Sequence, residues 1–392
     1  MSKKVKILYL LGDIWSLGKN KGMPSIYKIL EKSHESMDVT IFTTDVNRYE
    51  AELPDAKIEY FHNKQIKFRN RYLTYFLIRL QNIILNFKYI ISFLSTKKDF
   101  DIVYCSSSIP IYATIFIKKV YKMKTLHRIY GTFLYPSLGN KLDQLKKFEE
   151  VMSFKVNADH YIITNDGTHG DKVADYYKIE NKKVSFLRNG INKNNVSSLY
   201  SLTYDKYDLN KNDFHLLCVS RLVNWKRVDR IVHAVNTILN SDIKLLVVGD
   251  GEERDTLSLL ATNENIRFLG SVSSSEVQEL MHVANIFISM YDLSNVGNPL
   301  LEALSFGLPI ITYDSGDTKE IIDGENGILI SSTDENEIIE ELKQHILYLY
   351  RNKTKREEYS FKALAFAKNH LLSWDERIKL EMEIIRKVVN EK

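Results

Sequence analysis

The 392-residue sequence contains few cysteines, prolines and glycines. It has 6 Pro and 16 Gly, and this low content argues against long disordered regions. The 2 cysteines, Cys105 and Cys218, each lie in an apolar segment, DIVYC and HLLCVS. Two thiols in apolar, strand-like segments far apart in the chain favour buried free cysteines over a disulfide or a metal site.

Long apolar runs and a strong net charge are also missing. No segment approaches the roughly 18 consecutive apolar residues of a membrane-spanning helix. The start, MSKKVKILYLLGD, lacks the apolar core and the cleavage site of a signal peptide. The net charge of +4 is too small to indicate nucleic-acid binding. We therefore expect a cytoplasmic protein without a nucleic-acid partner, and leave open a peripheral contact with the inner face of the cell membrane.

Alternating strand and helix patterns fill the first half of the chain. VKILYLL is a continuous apolar run, as expected of a strand buried on both faces. A polar loop, a helix-like segment from Pro24 and the strand VTIFTT follow, and this order indicates a parallel α/β sheet. DIVYCSS, KTLHRIY, HYIITN and KVSFLRN are further strand candidates. Together they predict one doubly wound domain.

A second α/β series follows a polar stretch at residues 190–212, which reads as a linker. Its strand candidates are FHLLCVS, KLLVVGDG, IRFLGS, IFISMY, PIITYD and GILIS. We predict an N-terminal domain at residues 1–195, a C-terminal domain at 196–372 and a terminal helix at 373–392. Two such Rossmann-like domains leave a cleft between the carboxyl ends of their sheets, where α/β proteins bind ligands.

Two cations follow the first strand of the second series. Arg221 and Lys226 lie in SRLVNWKRVD, in a loop that leaves the carboxyl end of a strand. Such a pair could bind a diphosphate and stabilise it as it departs with growing negative charge. Taken alone, a solvated basic loop is the simpler interpretation.

The segment NPLLEALSFG predicts a helix with a ligand-binding start. Asn298 suits the N-cap and Pro299 the first helical position, and Gly297 permits close approach of a ligand. The free N–H groups of such a start favour phosphate. Glu302, one turn further on, is near enough to accept hydrogen bonds from a ribose. An ordinary capped helix with a surface glutamate fits the pattern equally well.

Two glycine-rich segments are weaker signals. Gly249-Asp250-Gly251 ends a strand but does not complete a dinucleotide fingerprint, so a tight turn is the simpler interpretation. In the loop GDIWSLGKNKGMPS, Gly18 and Gly22 could admit a phosphate or an acceptor beside Lys19 and Lys21. A flexible loop is an equal alternative.

In order and spacing, these segments resemble the retaining glycosyltransferases of family 4, which have the GT-B fold. The likeness is strongest at about residues 158–330. It includes ADHYIITNDGTHGDKVADYY, KVSFLRNGIN, SRLVNWKRVD, VVGDGEER and PLLEALSFGLPII, the last similar to the second half of the family's Glu-x7-Glu segment. The resemblance implies a metal-independent, cofactor-free transfer of a sugar from a nucleoside diphosphate sugar, with retention of configuration.

The resemblance also assigns roles. Arg221 and Lys226 would neutralise the leaving diphosphate, and Glu302 would bind the ribose. The implied donor site further includes Gly22, Asn189, Gly249, Phe268, Gly270, Ser294, Gly297, Asn298, Pro299 and Leu300. Because the residues show no Asp/His cluster at ligand spacing, no metal site is predicted.

The sequence departs from the family's pattern at the sugar end. Ser294 stands eight residues before Glu302, where the family usually has its first glutamate, and Asp292 is the nearby carboxylate. Tyr130 stands where many relatives have histidine, and His127, earlier on that strand, is more often a core histidine than a catalytic one. Candidates for the acceptor or sugar site are Lys19, His127, Tyr130, Gly131, Thr132 and Asp292.

A basic stretch in the first half suggests a surface partner. Lys64 to Lys98 contains eight Lys and Arg residues and no Asp or Glu. Its centre, RYLTYFLIRLQNIILNFKYIISFL, mixes cations with apolar residues at helical spacing, as in helices that lie on anionic membranes. A helix that packs one face on the sheet and leaves its cations solvated is an equal alternative.

The sequence therefore predicts a two-domain GT-B glycosyltransferase of the hexosyltransferase type. Its expected acceptor is a glycan or a lipid-linked molecule, with bacterial polysaccharide or glycolipid synthesis inferred by family analogy alone. The alternatives are a sugar-nucleotide epimerase or hydrolase of the same fold, and a non-catalytic protein that binds nucleotide sugars. An oxidoreductase is less favoured because neither domain has the full glycine fingerprint.

Overall fold

The computed structural model describes residues 4–12, 24–44, 56–63, 71–192 and 200–391. The chain forms two compact units. The first unit comprises Met1–Asn165, His169–Asn189 and Trp374–Lys392, and the second comprises Asp166–Thr168 and Gly190–Ser373. Each unit is an α/β domain built on one parallel sheet. The prediction of two Rossmann-like parallel-sheet domains with the GT-B fold is confirmed.

The first unit contains a seven-stranded sheet with the order β3-β2-β1-β4-β5-β6-β7. Its strands are β1 (Lys6–Leu11), β2 (Asp38–Thr44), β3 (Lys57–Phe61), β4 (Ile102–Ser106), β5 (Lys124–Ile129), β6 (His160–Thr164) and β7 (Val184–Leu187). Its helices before the second unit are α1 (Pro24–Ser36), α2 (Arg71–Ser95), α3 (Ile111–Tyr121), α4 (Lys141–Lys146), α5 (Phe148–Lys155) and α6 (Gly170–Tyr176). All described strand pairs are parallel.

The second unit contains a six-stranded parallel sheet with the order β10-β9-β8-β11-β12-β13. Its strands are β8 (Phe214–Val219), β9 (Ile243–Val248), β10 (Ile266–Gly270), β11 (Ile286–Ser289), β12 (Ile310–Tyr313) and β13 (Gly327–Ile330). Its helices are α7 (Tyr200–Lys206), α8 (Val228–Asn236), α9 (Arg254–Leu260), α10 (Ser274–Val283), α11 (Asn298–Ser305), α12 (Glu335–Arg351) and α13 (Lys353–His370). The last helix, α14 (Trp374–Asn390), belongs to the first unit.

Apolar residues on both faces of the central strands explain the layered architecture. Along β1, Ile7 and Tyr9 join the core beneath α1 and α14, whereas Leu8 and Leu10 join the core beneath α2 and α3. Successive side chains of a strand point to opposite faces, so a continuous apolar run requires cover on both sides. The run VKILYLL is therefore the central strand that its sequence predicts.

The polar stretch at residues 190–212 is more structured than the linker that we predicted. Ile191 is buried and forms an isolated bridge with Ser373, and α7 begins at Tyr200. Tyr204, Tyr207 and Leu209 pack against the core of the second unit. These aromatic contacts are made with residues distant in the chain, so the polar local composition did not reveal them.

Both cysteines are buried free thiols, as predicted. Burial raises the pKa of Cys105 to about 12 and that of Cys218 to about 12. Both side chains therefore remain neutral thiols near neutral pH and behave as small apolar core residues.

A buried charge cluster fixes α14 in the first unit. Arg377 of α14 places Nη1 2.8 Å from Glu381 Oε2, and Arg128 of β5 places Nη1 3.8 Å from the same oxygen. Tyr104 of β4 donates a hydrogen bond to Glu381. Burial alone raises the pKa of Glu381, but the two guanidinium groups outweigh it and the net pKa is lowered. The carboxylate therefore stays charged in the core and links α14 to two strands.

We expected no segment with the length and composition of a membrane-spanning helix, and this expectation is wrong. Within the described residues, one helix, Phe76–Ser95 of α2, is long and apolar enough to do so. The sequence search required consecutive apolar residues, and the polar residues interspersed in α2 interrupt such a run. A core helix of a soluble protein can meet the same criterion, so its exposure decides its interpretation.

Candidate functional site

The strand order of the second unit reverses direction at β8. From β8 the chain proceeds outward through β9 and β10, and it then returns to β11 on the other side of β8. The connections that leave β8 and β11 consequently diverge, and α/β sheets bind ligands at such a reversal. The segments after these two strands contain Arg221, Lys226 and Glu302. The three residues of the predicted diphosphate-ribose site therefore all follow the two strands at this reversal.

Two aromatic rings hold the Lys226 side chain. Lys226 ends a 3-10 turn, Asn224–Lys226, and its Nζ lies 4.0 Å from the centre of the Trp225 ring and 3.6 Å from that of Tyr291. Tyr291 is fixed because its hydroxyl donates to the carbonyl oxygen of Val219 at 3.0 Å. Burial, with a smaller contribution from the charge of Arg221, lowers the pKa of Lys226 to about 7. An anion beside Nζ would raise this pKa.

Neighbouring cations in the same segment differ in their partners. Arg227 Nη1 lies 2.8 Å from Glu335 Oε1, and Arg230 pairs with Glu335 at 2.6 Å and with Asp292 at 2.8 Å. Among the residues that the structure describes, no carboxylate lies within ion-pair distance of Arg221 or Lys226. Protein carboxylates therefore neutralise one pair of cations, and the other pair is left without such a partner for an anionic ligand.

Glu302 is positioned inside the second unit by a second polar side chain. It lies on α11, is only 8% exposed, and accepts a hydrogen bond from Asn192 Nδ2 at 3.3 Å on Oε1. The alternative of an ordinary surface glutamate does not fit this burial. Asn192 was not among our predicted site residues, and its position in the quoted segment NGIN is the signal that could have identified it.

The start of α11 differs by one residue from our prediction. The N-cap is Gly297, with extended backbone angles, Asn298 is already helical, and Pro299 lies within the first two positions of the helix. The Leu300 N–H donates to the Gly297 carbonyl oxygen at 3.1 Å. Pro299 has no N–H, and the N–H groups of Leu300 and Leu301 are already bonded to Gly297, so this helix start offers few donors to a phosphate.

Ser294 is buried in a tightly packed position. Its Oγ donates to the carbonyl oxygen of Asp166 at 2.6 Å and accepts from the Val296 N–H at 3.1 Å. A Cβ atom at Gly167 would lie 2.2 Å from Ser294 Oγ, and one at Gly316 would lie 3.1 Å from Ser294 Cβ. The position where the resembled family's pattern has a glutamate is thus occupied by a small residue that the surrounding backbone encloses.

The carboxylate of Asp292 is engaged with arginines. It pairs with Arg230 at 2.8 Å and with Arg227 at 3.3 Å. Asp166 is another carboxylate of this unit, and its charge makes a small opposing contribution to the lowered pKa of Lys226. Burial raises the pKa of Asp166 itself to about 6. Sequence analysis missed Asp166, which lies in the segment TNDG that we had matched only as a family pattern.

Glycines let two loops of the second unit pack on each other. A Cβ at Gly249, where φ is 130°, would lie 1.8 Å from the carbonyl oxygen of Ser220, and one at Gly251 would lie 2.2 Å from that of Leu222. Both glycines therefore have a packing role beside the loop that contains Arg221. The close packing confirms the tight-turn interpretation. It also fixes the position of the loop that contains Arg221.

Phe268 and Gly270 lie at the end of β10. Arg254 of α9 stacks its guanidinium 5.3 Å from the Phe268 ring centre and approaches the Phe268 carbonyl oxygen at 3.4 Å. Gly270, the last residue of β10, has φ of 72°, and the register with β9 shifts between Phe268 and Gly270. The segment remains a predicted binding region for the nucleotide base.

Several predicted residues lie in the first unit. His127 is completely buried on β5, its ring centre lies 6.2 Å from that of Tyr161, and burial lowers its pKa to about 3. This position favours the structural role over a catalytic one. Asn189 accepts a long hydrogen bond from Arg128, at 3.5 Å.

Side-chain hydrogen bonds hold the segment that follows β5, residues 130–132. The Tyr130 hydroxyl lies 3.0 Å from Ser106 Oγ, and burial raises the pKa of Tyr130 to about 12. Gly131 has φ of 128°, and Thr132 donates to Glu150 Oε1 at 2.6 Å. Lys19 and Gly22, together with the rest of the predicted loop at residues 13–23, lie outside the described residues.

Within the described part of the chain, no group of three or more His, Cys, Asp and Glu side chains is arranged to hold a metal ion.

Part of the chain matches a known protein family. Residues 203–363 match the family model described as glycosyl transferases group 1. This segment lies in the second unit and contains Arg221, Lys226 and Glu302.

Relatives extend the likeness over most of the chain. An uncharacterized glycosyltransferase of Methanocaldococcus jannaschii is 28% identical over 384 residues, which cover 91% of this chain and 91% of that protein. A GDP-mannose-dependent monoacylated alpha-(1-6)-phosphatidylinositol monomannoside mannosyltransferase of Corynebacterium glutamicum is 30% identical over 136 residues, 32% of this chain and 36% of that protein.

A solved structure has the same fold. HepE from Anabaena, in complex with UDP and glucose, superposes with a TM-score of 0.75 at 16% identity, covering 97% of this chain and 99% of that chain. At this identity the likeness concerns the fold alone. Together, the family match, the relatives and the GT-B fold support a glycosyltransferase.

Proposed function

We propose that this GT-B glycosyltransferase transfers a hexose from a nucleoside diphosphate sugar to a glycan or lipid-linked acceptor, with retention of configuration. The observation that carries the proposal is the contrast between the two pairs of cations after β8. Arg227 and Arg230 have carboxylate partners, whereas Arg221 and Lys226 have none among the described residues. A diphosphate is an anion of suitable charge and size for two such cations at the carboxyl end of a strand.

Arg221 and Lys226 would bind the diphosphate and stabilise the charge that develops as the sugar leaves. Because the pKa of Lys226 is lowered to about 7 by burial, part of the protein carries a neutral lysine at neutral pH. A bound diphosphate would favour the protonated form, so we expect donor binding to be accompanied by proton uptake. In this proposal the two cations take the place that a metal ion has in other transferases.

Glu302 would accept hydrogen bonds from the ribose hydroxyls. Its hydrogen bond with Asn192 restricts the side chain to one orientation before the ligand arrives. A side chain that is already held in its binding orientation loses less conformational entropy when the ligand binds than a mobile one. The base would lie near Phe268 and Gly270, and the nucleotide stays open because one relative is named for GDP-mannose and one solved structure of this fold contains UDP.

At the sugar end we propose that Asp166 supplies the carboxylate that relatives have at the position of Ser294. Ser294 Oγ donates to the Asp166 carbonyl oxygen, and the Asp166 side chain accepts from Thr168 Oγ1 at 2.6 Å. These contacts fix the segment while its carboxylate interacts electrostatically with Lys226. Asp292 is the less suitable candidate because its carboxylate pairs with two arginines.

A thermal-shift panel of UDP, GDP, ADP and their sugars tests the donor site. A ligand that binds only the folded state raises its melting temperature by mass action, so the correct nucleotide should shift it most. Arg221→Ala and Lys226→Ala should abolish the shift, and Lys368→Ala, an exposed cation of the same unit, should leave it unchanged. Absence of a shift with every nucleotide would contradict the proposal.

A non-catalytic nucleotide-sugar-binding protein is the second candidate, and Ser294 is the observation that favours it. An epimerase or hydrolase of the same fold is the third. Incubating the protein with the bound nucleotide sugar, first alone and then with glycan and lipid acceptors, separates the three. Turnover without acceptor indicates an epimerase or hydrolase, turnover only with acceptor a transferase, and binding without turnover the non-catalytic candidate.

A further inference from the structure

One face of α2 is exposed and consists only of large apolar residues. We define the α2 stripe as the eight side chains Leu73, Phe76, Leu80, Ile83, Ile84, Phe87, Ile91 and Leu94, which are between 37% and 64% exposed. At about 100° per residue, these positions fall within an arc of roughly 100° on the helix. No polar residue lies within this arc. Contiguous exposed apolar patches of this kind mark interaction surfaces on soluble proteins.

The opposite face of α2 anchors the helix to the first unit. Leu85, Tyr89 and Phe93 are buried in the core with residues of β1, β2 and β4. The Tyr89 hydroxyl donates to the Leu11 carbonyl oxygen at 2.6 Å, and Asn86 bonds to the backbone of Ile109 at 2.8 Å. A transmembrane orientation would break these contacts. These contacts hold the second half of the helix, from Leu85 to Phe93, with the apolar stripe outward.

Cations border the stripe, and acids are missing from the same segment. Between Arg71 and Lys98 the sequence contains five Lys and Arg residues and no Asp or Glu. Lys97 and Lys98 are exposed just after the helix ends, and Lys88 lies on its flank. Two of the cations have protein partners, because Arg79 pairs with Glu149 at 2.8 Å and Lys88 donates to the His62 carbonyl oxygen at 2.8 Å. This charge pattern matches an anionic surface.

A second copy of the chain suits the stripe less well. Two stripes placed against each other would bring basic flanks together. Residues 71–98 offer no acid to pair with them, and the next acid, Asp99, already pairs with Lys6. Paired helices normally use opposite charges at their flanking positions. The charge distribution therefore favours a lipid surface over self-association.

We infer that the α2 stripe docks the first unit onto an anionic phospholipid bilayer, with α2 lying in the plane of the headgroups. The apolar side chains would enter to a depth of about 5–10 Å, as is usual for such helices, and the flanking lysines would meet lipid phosphates. The neighbouring α4, whose Leu145 carbonyl oxygen is approached by Arg79 at 3.4 Å, adds exposed Leu142 and Leu145. This inference does not depend on the proposed transfer.

Vesicle sedimentation of the full chain tests the inference. Wild-type protein should pellet with vesicles of phosphatidylcholine and phosphatidylglycerol at low salt, and at least tenfold less with phosphatidylcholine alone. The variant Phe76→Ser/Phe87→Ser/Ile91→Ser should lose at least tenfold in binding to the anionic vesicles. The matched control Leu239→Ser/Leu259→Ser/Phe361→Ser removes three exposed apolar residues of the second unit and should bind like wild type. Lys97→Glu/Lys98→Glu should weaken binding and reduce its salt dependence.

Tryptophan fluorescence provides a second measurement that does not depend on whether the serine variants fold. A Phe87→Trp variant should show quenching by brominated lipids that exceeds that of wild type, whereas Leu259→Trp should not. The inference is overturned if wild-type protein stays in the supernatant with both vesicle types, or if the stripe variant binds as wild type does. It is also overturned if light scattering shows a dimer that the stripe variant dissociates while vesicles bind neither form.

Discussion

Two groups of cations in this molecule have the same chemistry and different surroundings. In the first unit, Arg128 and Arg377 share the buried carboxylate of Glu381. In the second unit, Arg221 and Lys226 follow β8 without an ion-pair partner among the described residues, and aromatic rings hold Lys226. Where the chain supplies the counter-charge, the cations join helix to sheet. Where it does not, Arg221 is exposed to solvent and Lys226 is held by aromatic rings, so both can contact an anionic ligand.

The largest effect is expected from breaking the buried group. Glu381→Ala leaves two guanidinium groups in the core without a carboxylate, and breaking such a pair costs about 3–5 kcal/mol of unfolding free energy. Urea denaturation of the full chain measures this loss. Glu383→Ala, an exposed acid on the same helix, serves as the control and should change stability by less than about 0.5 kcal/mol. Equal effects of the two substitutions would contradict the structural role of Glu381.

Lys226→Ala tests the other side of the comparison. We expect it to lower the turnover of nucleotide sugar by about 10²–10³-fold, the usual cost of removing one group that stabilises a developing anion. Its stability should stay equal or rise, since a partly buried cation without an ion-pair partner is removed. Kinetics with the nucleotide sugar found in the thermal-shift panel, together with a melting curve, measure both quantities. If Lys226→Ala lost as much stability as Glu381→Ala, Lys226 would have a structural role like that of the cations paired with Glu381, and the comparison would fail.

Asp166→Asn should lower turnover by about tenfold with little change in nucleotide affinity, because the carboxylate is proposed to act at the sugar end. Comparing the KM for the nucleotide sugar with kcat separates the two effects. Asp171→Asn, on the adjacent helix α6, is the control for charge removal nearby. Equal kcat for Asp166→Asn and wild type would remove Asp166 from the sugar site.

The smallest effect is expected from pH. With the pKa of Lys226 at about 7, the protonated fraction falls about fivefold between pH 7 and pH 8, so affinity for a nucleotide sugar should fall as pH rises. A nucleotide sugar is suitable because its diphosphate does not titrate in this range. Calorimetry in buffers of different ionisation enthalpy should detect proton uptake. Lys226→Arg should bind without this pH dependence, and the same dependence in that variant would assign the proton elsewhere.

Twelve of the thirteen described strands could be predicted from the sequence because they are short apolar runs with turn signals on both sides. The edge strand β3 was missed because Lys57 and Glu59 interrupt its apolar pattern. The reversal of strand order between β8 and β11 places Arg221, Lys226 and Glu302 after neighbouring strands, as the family likeness implied. Local pattern is sufficient for the strands themselves, since each depends on residues close together in the chain, whereas their order depends on pairing between distant segments.

The remaining features depend on residues that are distant in sequence. The pairing of Arg230 with Glu335 and that of Arg128 with Glu381 join elements that no local pattern connects. The enclosure of Ser294 by Gly167 belongs to the same class. For α2, the sequence showed apolar residues on all sides of a helix, and only the packing of Tyr89 and Phe93 reveals which face is left exposed.

The enclosure of Ser294 also restricts how this protein can evolve or be engineered. Gly167 and Gly316, with φ of 78° and 58°, leave almost no volume around position 294. Ser294→Glu alone would overpack the site, and a larger residue at either glycine would meet strained backbone as well. Glycine is already the smallest residue, so substitutions at positions 167 and 316 cannot make room for a larger side chain at position 294. A glutamate at position 294 therefore requires a shift of the surrounding backbone segments rather than compensating substitutions at the two glycines.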